Sequence, residues 1–173
     1  MNHFVFTGPE SSGKTTLALA VAKLSKGVFV KEVAREYLAA LGVNYKKSDL
    51  LEIAKLQFKV QEEAKKTNKQ CLCFDTDLIT IKIWSEYKYG SCDPWIEEKI
   101  KFNKDVIYIL CQPDIPWEED PLRENPNDRE ELYGIYRAYL VAIGVKFIEV
   151  GGSVEKRVEK IKDATPFFKG IAS

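Results

Sequence analysis

Residues Gly8-Pro9-Glu10-Ser11-Ser12-Gly13-Lys14-Thr15 match G-x-x-x-x-G-K-[ST], directly after an apolar run of strand character and at the start of a helical period. The glycines let the backbone wrap closely around phosphates. Successive N–H groups then form an anion cradle, to which a helix N-terminus adds partial positive charge. Gly8, Glu10, Ser11, Ser12, Gly13, Lys14, Thr15 and Thr16 are the candidate contacts for ATP phosphates. Lys14 would bridge the β and γ phosphates, and the Thr15 hydroxyl would ligate Mg²⁺, a hard cation that prefers oxygen.

A second constellation, Phe74-Asp75-Thr76-Asp77, ends another apolar run in carboxylates. In open α/β sheets, ligands bind outside the carboxyl ends of the strands. There one carboxylate can hold Mg²⁺ and another can accept or orient a substrate proton. Asp75 is the candidate metal residue and Asp77 the candidate for the acceptor, with the assignment of the base left open between them. The alternative for Asp77 is a helix cap. The segment Glu32-Val33-Ala34-Arg35-Glu36-Tyr37, just past the second strand, is where an acceptor would lie, with Arg35 and Glu36 as its candidate contacts; alternatively those two pair with each other at the surface. Residues 112–128 hold four prolines and no hydrophobic period, the pattern of a lid. Seven acids and two bases, Arg123 and Arg129, fall in 116–131. Arginines swung in on closure can neutralise charge on a transferring phosphoryl group. Trp84 lies two helical turns beyond Asp77, where a flat cationic ring could stack on it.

The elements that must position these residues follow from periodicity. Strands are predicted at 3–7, 28–30, 70–74, 106–111 and 145–150, where Val, Ile, Phe and Tyr predominate. Their continuous apolarity suits a parallel sheet covered on both faces. Helices are predicted at 14–25, ending before Gly27, and at 33–41, 49–66 with Ser48 as cap, 78–88, 94–102, 127–142 and 153–163. The alternation implies a three-layer α/β/α fold with a five-stranded parallel sheet. One domain over residues 1–173 is expected, since a chain of 173 residues can build its own core.

Composition excludes several other classes. With 26 basic and 26 acidic residues and no basic block, nucleic-acid binding by phosphate neutralisation is disfavoured. The single histidine, His3, lies inside a strand, which argues against a Ser-His or Cys-His hydrolase. Cys71, Cys73, Cys92 and Cys111 lack metal-ligand spacing, and Cys71 and Cys73 read as small buried hydrophobes. The sequence has no membrane span and no signal peptide, so a cytoplasmic protein is expected. Neither Asn68-Lys69 nor Asn103-Lys104 continues as the guanine-reading Asn-Lys-x-Asp of GTPases. Small-molecule kinases and simple ATPases remain.

Taken together, Thr7 to Ala18, Ala34-Arg35-Glu36-Tyr37-Leu38, Asp75-Thr76-Asp77, Thr80, Trp84-Ser85, Pro113 to Glu118 and Asp120-Pro121-Leu122-Arg123 resemble the nicotinamide riboside kinase domain of NadR-type NAD biosynthesis proteins. The resemblance covers about residues 4–163. It implies a P-loop kinase that uses ATP and Mg²⁺ to phosphorylate the 5′-hydroxyl of a small nucleoside, ribosylnicotinamide. It further implies Thr15 and Asp75 at the metal, Lys14, Asp75, Asp77, Arg123 and Arg129 in catalysis, and Arg35, Glu36, Asp77 and Trp84 at the acceptor. Ile81 departs from the pattern where a second threonine would follow Thr80. The adenylyltransferase domain that commonly precedes this one is not in the sequence, so a separate adenylyltransferase is the implied pathway partner. A kinase for another nucleoside or small alcohol, or a slow ATPase switch with a protein partner, is the alternative. ATP and GTP both remain open as donor, with base selection expected around Gly151 and Gly152, and a homo-oligomer stays open.

Overall fold

The computed structural model describes residues 2–42, 44–100 and 106–170. Five strands, β1 (Asn2–Thr7), β2 (Val28–Val30), β3 (Cys71–Asp75), β4 (Val106–Cys111) and β5 (Lys146–Val150), form one parallel sheet in the order β2-β3-β1-β4-β5. The P-loop α/β fold expected from the alternation of patterns is therefore present. β1 lies at the centre, with Phe6 opposite Asp75 on one side and Thr7 opposite Leu110 on the other. The carboxyl ends of β1, β3 and β4 are thereby brought to a common edge.

Among the described residues, seven α-helices link and cover the strands: α1 (Lys14–Leu24), α2 (Ala34–Leu41), α3 (Lys47–Lys65), α4 (Leu78–Tyr89), α5 (Pro94–Lys99), α6 (Arg129–Ala142) and α7 (Val154–Ala164). On one face, Leu17, Val21 and Ile161 pack against Phe4, Phe6, Ile109 and Val150. On the other, Ile79, Ile83, Tyr136 and Leu140 pack against Val5, Leu72, Phe74 and Leu110. A satellite core of Leu38, Leu50, Ile53, Leu78, Ile81 and Ile96 joins α2, α3, α4 and α5. Ile81, the departure from the family pattern, is part of that packing.

Local chemistry moves some boundaries. α3 begins before Ser48, because the Asp49 carboxylate accepts the Lys46 backbone N–H at 2.6 Å and caps the helix. Ser48 therefore lies inside the helix. Past α1, Lys26 takes φ 51° and the Gly27 N–H returns to the Ala22 carbonyl at 2.9 Å. α5 ends at Lys99, and residues 101–102 of the predicted helix lie outside the described residues. A 3₁₀ turn at Pro166–Gly170 was not predicted; it presses Phe168 against Phe4 with ring centroids 5.7 Å apart. Residues 112–128 contain no helix or strand, as the proline content predicts. None of the helices, over the described residues, is long and apolar enough to cross a membrane.

Phe4 is fully buried between α1, the 3₁₀ turn and the sheet. Phe4→Ala is expected to lower the unfolding free energy by about 3–5 kcal/mol, measured by urea denaturation. A loss under about 1 kcal/mol would show that the core collapses to fill the space.

Candidate functional site

β1 ends in a loop whose backbone is held in conformations that ordinary residues avoid. Gly8 has φ 129° and Gly13 φ 79°, and Ser11 takes φ 51° between them. A Cβ on Gly8 would lie 2.7 Å from the Cys111 carbonyl oxygen, so glycine is required by close approach as well as by φ. α1 starts at Lys14, immediately after Gly13, with no side-chain cap on its first N–H groups. Those donors are left for an anion. Lys14 Nζ donates to the carbonyls of Gly8 at 3.0 Å and Pro9 at 2.7 Å, lying back along its own loop.

The neighbouring strand supplies the carboxylate. Thr15 Oγ1 donates to Asp75 Oδ2 at 2.6 Å, while Asp75 Oδ1 is buried without a hydrogen-bond partner. Burial pushes the Asp75 carboxyl above its ordinary value, against the opposing pull of the Thr15 hydroxyl and Lys14. An orphaned, desolvated carboxylate oxygen beside a threonine hydroxyl is the hard-oxygen environment Mg²⁺ takes. The residues thus fit such an ion, which Thr15 and Asp75 would hold.

Asp77 is directed elsewhere. Strand alternation would aim Asp75 and Asp77 alike, but Thr76 between them has φ 69° and its N–H is bonded to the Phe6 carbonyl at 3.1 Å. This left-handed residue breaks the alternation. Asp77 caps α4, accepting the Ile79 N–H at 3.0 Å, and its other oxygen accepts the Tyr108 hydroxyl at 2.7 Å. Burial pushes its carboxyl up to about 6. Asp77 thus takes the cap position that the sequence offered as its alternative.

A cavity of about 240 Å³ runs from the phosphate loop to the aromatic residues of α4. Its polar end is formed by Gly8 to Thr16, and its far wall by Trp84, Tyr87, Leu38 and Ile83. Between them lies Glu32, just past β2. Burial pushes the Glu32 carboxyl up to about 7, with Lys14 and Arg35 opposing and Asp75 and Glu10 reinforcing. Glu32 opens the segment 32–37 expected to lie along the acceptor, within which the sequence singled out Arg35 and Glu36 instead. It carries the same signal as Asp75, a carboxylate directly past an apolar run. Arg35 lines the cavity, but Glu36 is exposed, outside it, and pairs with Lys31. Glu36 is thus a surface residue. Thr80 also lines the cavity, its hydroxyl 3.1 Å from that of Thr7.

The segment 112–128 lies across the loop. Arg123 donates to the Ser11 hydroxyl at 3.3 Å and to the Glu118 carbonyl at 2.7 Å, and it lines the cavity. Arg129, at the start of α6, is not part of the lining; it ties the carbonyls of Ser11 at 3.2 Å and Ile115 at 2.9 Å. Trp117 lies about 6 Å from both guanidiniums. The Glu10 carboxylate accepts the backbone N–H groups of Glu124 and Asn125, each at 3.0 Å. Its side chain is therefore a clasp for the segment, and Glu10 still lines the cavity with the rest of the loop. Further out, Arg35 donates to Asp120 at 2.6 Å. Tyr45 accepts from Trp84 Nε1 at 2.9 Å and Lys88 at 2.7 Å, and donates to Glu124 at 2.6 Å.

A family profile described as an AAA domain matches residues 3–157. The chain belongs to that family. Two solved structures share its fold: NadR protein in complex with NAD and AMP-PNP, at a TM-score of 0.72, and NadR protein in complex with NR, at 0.74. Each is 19% identical, and the alignments cover 94% and 95% of this chain. They cover 49% and 51% of the respective NadR chains, so this chain spans about half their length. Comparison with curated proteins gave no match. At this identity the NadR likeness is one of fold, and the family match agrees with the nucleotide-binding loop already described.

Glu32 makes stability depend on pH in a defined direction. Between its ordinary value of 4.5 and about 7, the folded protein keeps a proton that the unfolded chain releases. Its contribution is complete below pH 4.5 and lost as pH rises to about 7. Glu32→Gln should flatten this fall in urea-unfolding free energy measured at stepped pH, leaving the share due to Asp75 and Asp77, whose carboxyls burial also raises. An unchanged profile would assign the slope to other groups.

Proposed function

We propose that this protein is an ATP-dependent kinase that phosphorylates the 5′-hydroxyl of nicotinamide riboside to give nicotinamide mononucleotide. The observation that carries the reading is the single cavity joining a phosphate loop to an aromatic wall, with a carboxylate between them. NAD salvage in the cytoplasm is the corresponding setting. The NadR structure in complex with NR and the one with AMP-PNP support both ligand classes.

In this reading the loop amides and Lys14 hold the phosphates of ATP, and Thr15 and Asp75 hold Mg²⁺. The ion neutralises phosphate charge when bound. The nicotinamide ring, flat and cationic, lies against Trp84. Glu32 orients the 5′-hydroxyl and takes its proton as the oxygen bonds to the γ-phosphorus. The bond from that phosphorus to the bridging oxygen breaks, and ADP leaves. Glu32 thus takes the base role that sequence left open between Asp75 and Asp77. Arg123 faces the charge developing on the transferred group, while Arg129 secures the lid to Ser11. The segment 112–128 serves as the lid and keeps water from the phosphoryl group.

A coupled ADP-release assay should give turnover that depends on nicotinamide riboside and is abolished in Lys14→Ala. ADP release indifferent to the nucleoside would support the ATPase switch, and turnover with a different alcohol alone would support another kinase specificity. For the base, Glu32→Gln is expected to lower kcat by about 10²- to 10⁴-fold. Asp77→Asn should leave kcat within about tenfold, its loss appearing mainly in stability. The reverse ranking would return the base role to Asp77.

A further inference from the structure

We infer that Arg157 is a positioning residue for the nucleotide, setting the shape of the phosphate loop from behind. This rests on the nucleotide-binding part of the reading above and not on the identity of the acceptor. Arg157 occupies the apolar stripe of α7 with Val154, Val158 and Ile161, and is 2% exposed. A guanidinium is tolerated in such a place only when its donors are met. Nε donates to the Gly152 carbonyl at 2.9 Å and Nη1 to the Ser12 carbonyl at 2.6 Å. Nη2 donates to the Gln112 carbonyl at 3.3 Å and to the Asp114 carboxylate.

These acceptors come from three chain segments that meet nowhere in sequence: the phosphate loop, the root of the lid and the turn between β5 and α7. Asp114 also accepts the Gly152 backbone N–H, so the carboxylate closes the ring on the far side. The bond to Ser12 has a directional effect. In a trans peptide the carbonyl and the following N–H point oppositely. With the Ser12 carbonyl held back against Arg157, the Gly13 N–H is turned away from the guanidinium, toward the phosphate side of the loop. A Cβ on Gly13 would lie 3.5 Å from Nη1 and 3.4 Å from Ile115, which shows how closely the guanidinium backs the loop. The planar fork reaches three segments at once. A lysine ammonium, a single point, cannot do so from the same stem.

Binding of MgADP by isothermal titration, without acceptor, tests this in wild type, Arg157→Lys and Arg157→Met. Both variants should bind MgADP at least tenfold more weakly, with KM for ATP rising in parallel and KM for the nucleoside staying within twofold. Arg157→Lys should recover most of the thermal midpoint lost in Arg157→Met without recovering nucleotide affinity. Affinity within twofold of wild type in Arg157→Lys, or an equal rise in both KM values, would overturn the assignment. Should the Arg157 variants not fold, Asp114→Asn keeps the three carbonyl bonds and should weaken MgADP about threefold at an unchanged midpoint. No weakening there would also overturn it. Failure of the wild type to bind MgADP would sink the kinase reading itself, whereas intact wild-type binding with indifferent variants sinks only the role of Arg157.

Discussion

β1 is paired in parallel with β3 on one side and β4 on the other, and this double pairing determines where the phosphate loop leaves the sheet. Because β3 is the immediate neighbour, Asp75 ends its strand within hydrogen-bond reach of Thr15 on α1. Because β4 is the other neighbour, the Cys111 carbonyl presses on Gly8 and leaves no space for a side chain. The loop, its carboxylate and the root of the lid are thus placed by backbone hydrogen bonds of the sheet. Side-chain chemistry is added to a frame that is already fixed.

Electrostatics explains how so balanced a chain can support a charged site. Glu32 and Asp75 are raised by burial and opposed by Lys14 and Arg35. The acidic segment 112–128 brings Arg123 to the same loop while spending its own acids elsewhere: Asp120 on Arg35, and Glu124 on Lys88 and Tyr45. The zero net charge of the sequence therefore conceals local pairing. Cations are gathered where phosphates would lie, and acids hold the covering segment down.

The parts of this arrangement legible in the sequence were those encoded by short, local patterns. Lys14, Thr15 and Asp75 were found because a motif and a strand end each specify a position within a residue or so. For Asp77 the sequence left a site role and a helix cap side by side, because nothing in the types Asp-Thr-Asp announces that Thr76 turns left-handed and brings Asp77 to the start of α4. Glu32 was placed in the acceptor segment 32–37 but not singled out within it, because β2 is only three residues long and does not say which following side chain turns inward. Arg157 did leave a trace, a cation in the inward stripe of an otherwise charged helix, but its meaning lies in carbonyls more than 40 residues distant. The cap of α3 went to Asp49 because a carboxylate reaching back to a free N–H outcompetes a hydroxyl already inside the first turn.

Two of the fastenings of the covering segment are dissimilar. Toward the phosphate loop, Arg123 and Glu118 are bonded to Ser11, whereas Glu124 is bonded to the same Tyr45 that supports Trp84. One strap thus borders both the phosphate compartment and the ring compartment. A displacement that admits a ligand at one end disturbs the wall offered to the other. Two ligands sharing such an equilibrium would change each other's affinity by equal factors, so any coupling between the two ends of the cavity follows from where the strap is tied.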